Sequence, residues 1–173
     1  LAFGGSSIVA GIQRLAPPVQ PHSSGAAYNF QRGVALGLHR GNLEGILFCS
    51  FRKISANFIP DSVSGQPLVS ALQPSGYHRT ASEMADRNSL GQFSNGVSVK
   101  YRQQAGYIGI NAVYWRFSVP FKKSDEPYKL FGFEGRSLYN ASINYSYSWR
   151  NFHAFGELAV DPQWHKALVS GML

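Results

Sequence analysis

The sequence predicts an all-β protein, namely part of an antiparallel up-and-down transmembrane β-barrel, with about seven strands of a larger barrel in this chain. Three observations predict this fold. Apolar and polar residues alternate over long segments, short and long connections alternate along the chain, and aromatic residues cluster near the segment ends. Residues 1–173 are interpreted as a single segment of one barrel domain.

The alternation is clearest in SLYNASINYSYSW, residues 137–149, where apolar or aromatic side chains at odd positions from Tyr139 to Trp149 alternate with Asn and Ser at even positions. A period of two is that of a β-strand, whose successive side chains point to opposite faces. The pattern lasts about 13 residues, whereas strands of soluble sheets usually have about 5 to 6 and a bilayer-crossing strand needs about 9 to 11. Alternation alone fits either a soluble antiparallel sheet with a core on one face or a membrane barrel with lipid on one face.

The strands follow from this pattern in chain order. Alternating segments predict strands at residues 28–39, 43–54, 92–102, 106–119, 137–149, 152–160 and from 166 onward. The Gly-Asn pair in Arg40-Gly41-Asn42 predicts a tight hairpin between the first two strands. Residues 103–105 and Arg150-Asn151 predict equally short turns later in the chain.

The connections between the strands are sorted by length. Long loops are expected at about residues 5–27, 55–91 and 120–136, and each is followed by a pair of strands joined by a short turn. In an up-and-down sheet alternate connections lie at the same end, so the short turns gather at one end and the long loops at the other. Bacterial outer-membrane barrels have this arrangement, with short periplasmic turns and long extracellular loops.

The polar face of the predicted strands is interpreted as the lining of a barrel lumen. On this reading Tyr139, Ala141, Ile143, Tyr145 and Tyr147 face lipid, and the polar residues between them face inward. Charged residues occupy the inward positions of the neighbouring strands, as expected for a wet or mutually paired interior. The candidate lining residues are Lys100, Arg102, Asn140, Asn144, His153 and Glu157.

The loop at 55–91 contains the best-defined local motif. Thr80 and Glu83 form a T-A-S-E capping box, which predicts a short helix of two turns in TASEMADR. The candidate loop contacts are Tyr77, His78, Arg79, Glu83 and Asp86. They predict either a loop that contacts a ligand or a loop that packs on itself and seals the barrel mouth through Arg-carboxylate pairs. The self-packing interpretation is favoured, because buried charges are usually paired.

Composition excludes several function classes. The chain has 14% charged residues, against about 25% in soluble domains, and no apolar run approaches the length of about 20 residues that a transmembrane helix needs. The net charge of +7 is scattered and comes with no nucleic-acid-binding motif, so no nucleic-acid contact is expected. The single cysteine, Cys49, excludes an internal disulfide, and the five histidines show no metal-ligand spacing. No metal and no cofactor are predicted.

Three stretches of the sequence resemble Bacteroidota outer-membrane β-barrel proteins that carry a helix-hairpin-helix region ahead of the barrel. They are YNFQRGVAL (28–36), SGYHRTASEMADRNSLGQ (75–92) and DEPYKLFGFEGRSLYNASINYSYSWRNFHAFGELAVD (125–161). The resemblance implies an outer-membrane location, with lipid or lipopolysaccharide around the barrel and other envelope proteins as possible partners. The helix-hairpin-helix part is not in this sequence.

Two further expectations follow from an exported protein of this kind. Asp61-Ser62-Val63 matches the Asp-Ser/Thr-aliphatic pattern on which Bacteroidota O-glycosylate exported proteins, so Ser62 is a candidate glycosylation site in a loop. The chain begins with LAFGGSS and stops at ALVSGML within an alternating run. We therefore expect it to be a piece of a longer exported protein whose signal lies upstream.

Three functions are consistent with these patterns. The first is a transport, binding or envelope-complex component of the outer membrane, with specificity in its extracellular loops and no enzymatic activity. The second is an outer-membrane enzyme, similar to an esterase or lipase, with its site at the loop end. The sequence has no G-x-S-x-G motif to support it. The third is a soluble β-sandwich surface protein.

Overall fold

The computed structural model describes residues 19–22, 30–60, 65–122 and 132–173, and these residues form an all-β fold. Their one helix, α1 (Ala81–Ala85), is five residues long. Their nine strands are β1 (Gly33–Arg40), β2 (Leu43–Ile54), β3 (Ala56–Pro60), β4 (Pro67–Leu72), β5 (Leu90–Gln103), β6 (Gly106–Phe121), β7 (Gly135–Trp149), β8 (Phe152–Val160) and β9 (Lys166–Met172). No helix among the described residues is both long enough and apolar enough to cross a membrane.

Seven of the strands form an antiparallel up-and-down sheet in the order β1-β2-β5-β6-β7-β8-β9. They match the seven strands predicted from the alternation, and the long β5, β6 and β7 pair over most of their length. The predicted antiparallel up-and-down fold is therefore confirmed. The described sheet is open, with β1 and β9 at its two edges.

The short connections lie together at one end of the sheet, which we call the turn end, as the sorting of connections predicts. They are Gly41-Asn42, Gln104-Ala105 and Arg150-Asn151. Gly41 and Arg150 have positive φ angles of 57° and 52°, which are typical of the tight hairpins that match strand twist. Neighbouring turns are tied by backbone hydrogen bonds, from Arg102 N to Asn42 O (2.8 Å) and from Ser148 N to Ala105 O (2.7 Å).

The opposite end, the loop end, is more ordered than the sequence predicts. The segment 55–91 was expected to be a loop, but it contains the hairpin β3–β4 as well as α1. The hairpin follows β2 directly and joins the sheet by a single parallel bridge between Val69 and Phe121. It forms because it can bury apolar side chains against the sheet. Ile54, Ala56, Val69 and Leu90 make a small buried core, against which Phe58, Leu72, Phe117, Val119 and Phe121 pack.

Two other connections lie at the loop end. The one between β6 and β7 is shorter than expected, and the one between β8 and β9 has a defined structure. β6 runs through Pro120 to Phe121, so the predicted loop 120–136 is shorter, and part of it lies outside the described residues. Pro120 is tolerated because the pairing of β6 with β7 is interrupted between Arg116 and Phe121. After β8, Asp161 accepts hydrogen bonds from the backbone of Gln163 and His165 and pairs with the His165 ring at 2.7 Å. The hydrogen bond from His165 is the main cause that lowers the pKa of the Asp161 carboxyl.

Candidate functional site

The strand register gives the sheet one polar and one apolar face. Successive strands place Glu44, Lys100, Gly109, Asn144 and Glu157 directly opposite one another in a single row across β2, β5, β6, β7 and β8. Alternation places the other predicted lining residues on the same face. This polar face therefore holds all six predicted lining residues, Lys100, Arg102, Asn140, Asn144, His153 and Glu157.

Charged groups gather on the polar face near the turn end. Arg102 forms a two-pronged pair with Glu44, with Nε to Oε1 at 3.1 Å and Nη2 to Oε2 at 3.4 Å. The Lys100 ammonium lies 4.5 Å from the centre of the Tyr107 ring. Glu44 was not among the predicted site residues, although the alternation of 43–54 assigns it to the polar face. Its pairing with Arg102 required the strand order, because 58 residues separate the two in sequence.

A ladder of hydrogen bonds crosses the middle of the polar face. Ser98 Oγ donates to Asn111 Oδ1 at 2.8 Å, and Asn111 Nδ2 contacts Ser142 Oγ at 3.2 Å and Asn144 Oδ1 at 3.5 Å. Of the predicted residues, only Asn144 is joined to Asn111, the centre of this ladder. Asn140 is exposed opposite Val113, and Glu157 is exposed opposite Asn144.

His153 contacts a serine of the neighbouring strand. Its Nδ1 lies 2.8 Å from Ser148 Oγ. The two residues are directly opposite each other, next to the Arg150-Asn151 turn. A serine hydroxyl beside an imidazole nitrogen is the first contact that a nucleophilic hydrolase needs. It lies at the turn end, whereas the enzyme interpretation placed its site at the loop end.

The polar face also contains polar side chains that are buried. Ser50, Gln92, Ser94 and Ser146 are all buried. Gln92 accepts a hydrogen bond from Arg52 Nε at 2.8 Å, and Ser94 donates to Gln31 Oε1 at 2.9 Å. Both side chains therefore have the hydrogen-bond partners that buried polar groups usually have.

The apolar face has the opposite character and is exposed along the whole sheet. Leu36, Leu47, Val99, Ile110, Ile143, Leu158 and Leu168 are exposed large hydrophobic residues, one on each of the seven strands. Ile143 is 51% exposed, between Ile110 on one neighbouring strand and Leu158 on the other. Exposed aromatics flank this aliphatic band toward the turn end: Tyr101, Tyr145, Tyr147, Trp149 and Phe152. Toward the loop end, the exposed Phe51 and Tyr139 flank it.

The predicted loop contacts form one group around the start of α1, except for Asp86. The Arg79 guanidinium lies 4.1 Å from the centre of the Tyr77 ring, and His78 Nδ1 lies 3.1 Å from the backbone oxygen of Glu83. The capping box is confirmed, since the Glu83 backbone N–H bonds Thr80 Oγ1 at 3.2 Å and its carboxylate accepts from Thr80 N at 3.3 Å. Asp86 instead accepts a hydrogen bond from Gln73 Nε2 at 2.8 Å.

These contacts favour the self-packing interpretation of the loop, by a different bond from the predicted one. The Glu83 carboxylate accepts a hydrogen bond from the backbone N–H of Arg79 at 2.7 Å. The peptide group of Arg79 therefore holds the carboxylate in place. The backbone hydrogen bonds from Arg79 and Thr80 lower the pKa of the Glu83 carboxyl below its usual value. The loop therefore gains order from the ionised form of Glu83.

A pH titration should detect this coupling. A lowered folded pKa means that the stabilisation is complete above the unfolded value, 4.5, and is lost as the pH falls through the folded pKa. We expect the amide NMR shifts of Arg79 and Thr80 to titrate together with a midpoint below 4.5. The Glu83→Gln variant should show no such transition. A midpoint at or above 4.5 would contradict the capping role of the carboxylate.

Two remaining expectations concern metals and glycosylation. Among residues 19–22, 30–60, 65–122 and 132–173, no group of three or more His, Cys, Asp or Glu residues is arranged to hold a metal ion. Ser62, the candidate glycosylation site, lies outside the described residues. Cys49 is exposed on the apolar face, opposite Val34.

No protein-family model, no curated protein and no solved structure matches this chain. Functional conclusions therefore rest on the sheet and its two faces.

Proposed function

We propose that this chain is part of the wall of an outer-membrane β-barrel that serves in transport, binding or an envelope complex. Its apolar face contacts lipid, its polar face lines the lumen, the turn end is periplasmic and the loop end is extracellular. Further strands outside this segment pair with the open edges β1 and β9 and close the barrel, because an open edge is prone to pair with other chains. The resemblance to Bacteroidota outer-membrane barrels supports the same location.

The observation that carries the proposal is the banded apolar face. A soluble protein rarely exposes an apolar patch larger than a few hundred Å², whereas this face is exposed across all seven strands of the main sheet. Tyr139 and Tyr147 are eight positions apart on β7, which is about 27 Å along a strand. Because barrel strands are tilted by about 35 to 45°, this span corresponds to about 19 to 22 Å along the membrane normal, close to the apolar band of about 25 Å on outer-membrane barrels, which is flanked by aromatic girdles. A sandwich core has no reason to place its aromatics in two bands with aliphatic residues between.

The location can be tested on the full-length protein purified from membranes. We expect extraction only with detergent and a faster gel mobility in SDS without heating than after boiling, because a closed barrel resists SDS. Release into buffer without detergent, together with a mobility that heating does not change, would support the soluble β-sandwich and overturn the proposal. Ion conductance across planar bilayers would then distinguish an open pore from a plugged barrel.

A second candidate function, ester hydrolysis, rests on the 2.8 Å contact between Ser148 Oγ and His153 Nδ1. If this pair is catalytic, the purified protein should hydrolyse p-nitrophenyl acetate and react with a fluorophosphonate probe. Ser148→Ala should abolish both reactions, while Ser142→Ala on the same strand and face should leave them unchanged. Our proposal expects no difference between the three proteins, because the contact then serves as a cross-strand bridge.

A further inference from the structure

A cleft of about 420 Å³ lies at the loop end of the sheet. It is formed where the segment before β1, the end of β2 and the loop that contains α1 meet. The residues that line it include Arg32, Arg52, Lys53, His78 and Arg87, together with Phe30. Its lining is separate from the aliphatic residues of the apolar band and from the Glu44–Arg102 pair.

The charge of this cleft is one-sided. Among the described residues, eleven line the cleft: four of these are Arg or Lys, one more is His78, and none is Asp or Glu. The nearby Asp86 carboxylate is bonded to Gln73 Nε2 at 2.8 Å, and Gln73 itself lines the cleft. Like charges that face one cavity repel each other, and a bound anion removes that repulsion.

Two arginines of the cleft, Arg32 just before β1 and Arg52 near the end of β2, lie over the same aromatic ring, that of Phe30. The guanidinium carbon of Arg32 lies 5.2 Å from the centre of the Phe30 ring, and that of Arg52 lies 5.6 Å from it. Arg52 is also fixed by the hydrogen bond from its Nε to Gln92 Oε1 at 2.8 Å. The planar guanidinium groups are therefore positioned by stacking before any ligand arrives, which lowers the entropic cost of binding.

Hydrogen bonds donated by backbone N–H groups join the three segments that form the cleft. Arg32 is attached to β2 at both its N–H, which donates to Ser50 Oγ at 3.0 Å, and its carbonyl, which accepts from Phe51 N at 2.9 Å. On the other side Ser55 accepts from Gln73 N at 3.0 Å and from Asn88 N at 3.2 Å. The cationic residues therefore lie on segments that hydrogen bonds connect, as expected of a binding site and not of scattered surface charges.

We propose that this cleft binds a phosphate group. A phosphomonoester carries nearly two negative charges at neutral pH and three acceptor oxygens, which suits several cations around one cavity. Guanidinium groups match phosphate geometry with paired hydrogen bonds, and a phosphomonoester has a third oxygen and a larger charge than a carboxylate with which to engage several cations. The phosphate belongs either to a lipid headgroup at the membrane surface or to a soluble phosphomonoester, since both present the same group.

The test is a binding measurement with two phosphate probes on the full-length protein in detergent. Isothermal titration with inorganic phosphate tests the soluble source, and native mass spectrometry with phosphatidic acid tests the lipid source. Arg32→Gln and Arg87→Gln should each weaken binding about tenfold. Arg40→Gln is the matched control, because Arg40 is an exposed arginine at the opposite end of β1, outside the cleft.

The outcomes separate clearly once all variants show wild-type circular dichroism. Loss of binding in Arg32→Gln and Arg87→Gln, but not in Arg40→Gln, supports the site. The probe that binds the wild type more tightly then identifies the source of the phosphate. Equal weakening by all three variants would show a general charge effect and overturn the proposal, as would binding of neither probe.

Discussion

Replacing Ile143 with lysine is expected to lower the free energy of unfolding by about 2 to 4 kcal/mol in a lipid bilayer, while Asn144→Lys should have little effect. Ile143 lies in the aliphatic band, opposite Ile110 and Leu158. Under the proposed function, a charge there would have to enter the hydrocarbon. Asn144 is the next residue and lies on the polar face. It is directly opposite Glu157, so a lysine at this position gains an acidic neighbour.

The stabilities of the two variants can be compared directly, because both variants add the same side chain at adjacent positions of one strand. Unfolding by urea, followed by tryptophan fluorescence in liposomes, gives the free energy of each variant. If the apolar face were in water instead of lipid, Ile143→Lys would be nearly neutral, since the side chain is about half exposed at 51%. Equal stability of the two variants would therefore contradict both the face assignment and the membrane location.

The main sheet could be predicted from the sequence because its signals are local. Alternation depends on neighbouring residues only, and it identified all seven strands of the sheet. The turns were equally clear, since Gly41-Asn42 and Arg150-Asn151 are short polar breaks between alternating segments. The capping box of Thr80 and Glu83 is also a local motif, and its two hydrogen bonds form as expected.

The contacts that were missed all depend on residues far apart in sequence. The β3–β4 hairpin is short, and it is stabilised by Ile54 of β2 and by aromatic residues of β6, which the sequence of 55–91 does not include. The Glu44–Arg102 pair depends on the register between β2 and β5. Gln73, the partner of Asp86, lies 13 residues away, beyond the reach of a helical or strand pattern.

Glycines on the polar face leave room for large side chains of the neighbouring strands. Which side chain lies opposite a glycine depends on the strand register, which the alternation alone does not give. A Cβ atom added to Gly96 would overlap the Phe48 ring, and one added to Gly171 would lie 2.5 Å from Cζ of the Phe155 ring. Each ring therefore lies across a glycine of the neighbouring strand. Large side chains can lie flat on the polar face at these points, and Phe155 is buried there although its strand partner carries no side chain.

Leu90→Ala is expected to lower the free energy of unfolding by about 2 to 5 kcal/mol, the usual range for emptying a leucine site in a core. Leu90 is fully buried, with 0% exposure, and it packs with Ile54, Ala56 and Val69 where the hairpin meets the sheet. Removing its side chain leaves a cavity on the hairpin side of this core. The hairpin has a single bridge to β6, so packing in this core contributes to its position.

Two measurements test this expectation. Guanidinium unfolding in micelles should show a loss of stability at least twice that of Leu36→Ala, because Leu36 is 56% exposed and its truncation leaves no closed cavity. Hydrogen exchange should accelerate most in residues 56–72 and much less in β7 and β8, which do not contribute to this core. Faster exchange spread evenly over the whole sheet would mean that the hairpin and the strands unfold as one unit, contrary to a core that holds only the loop end.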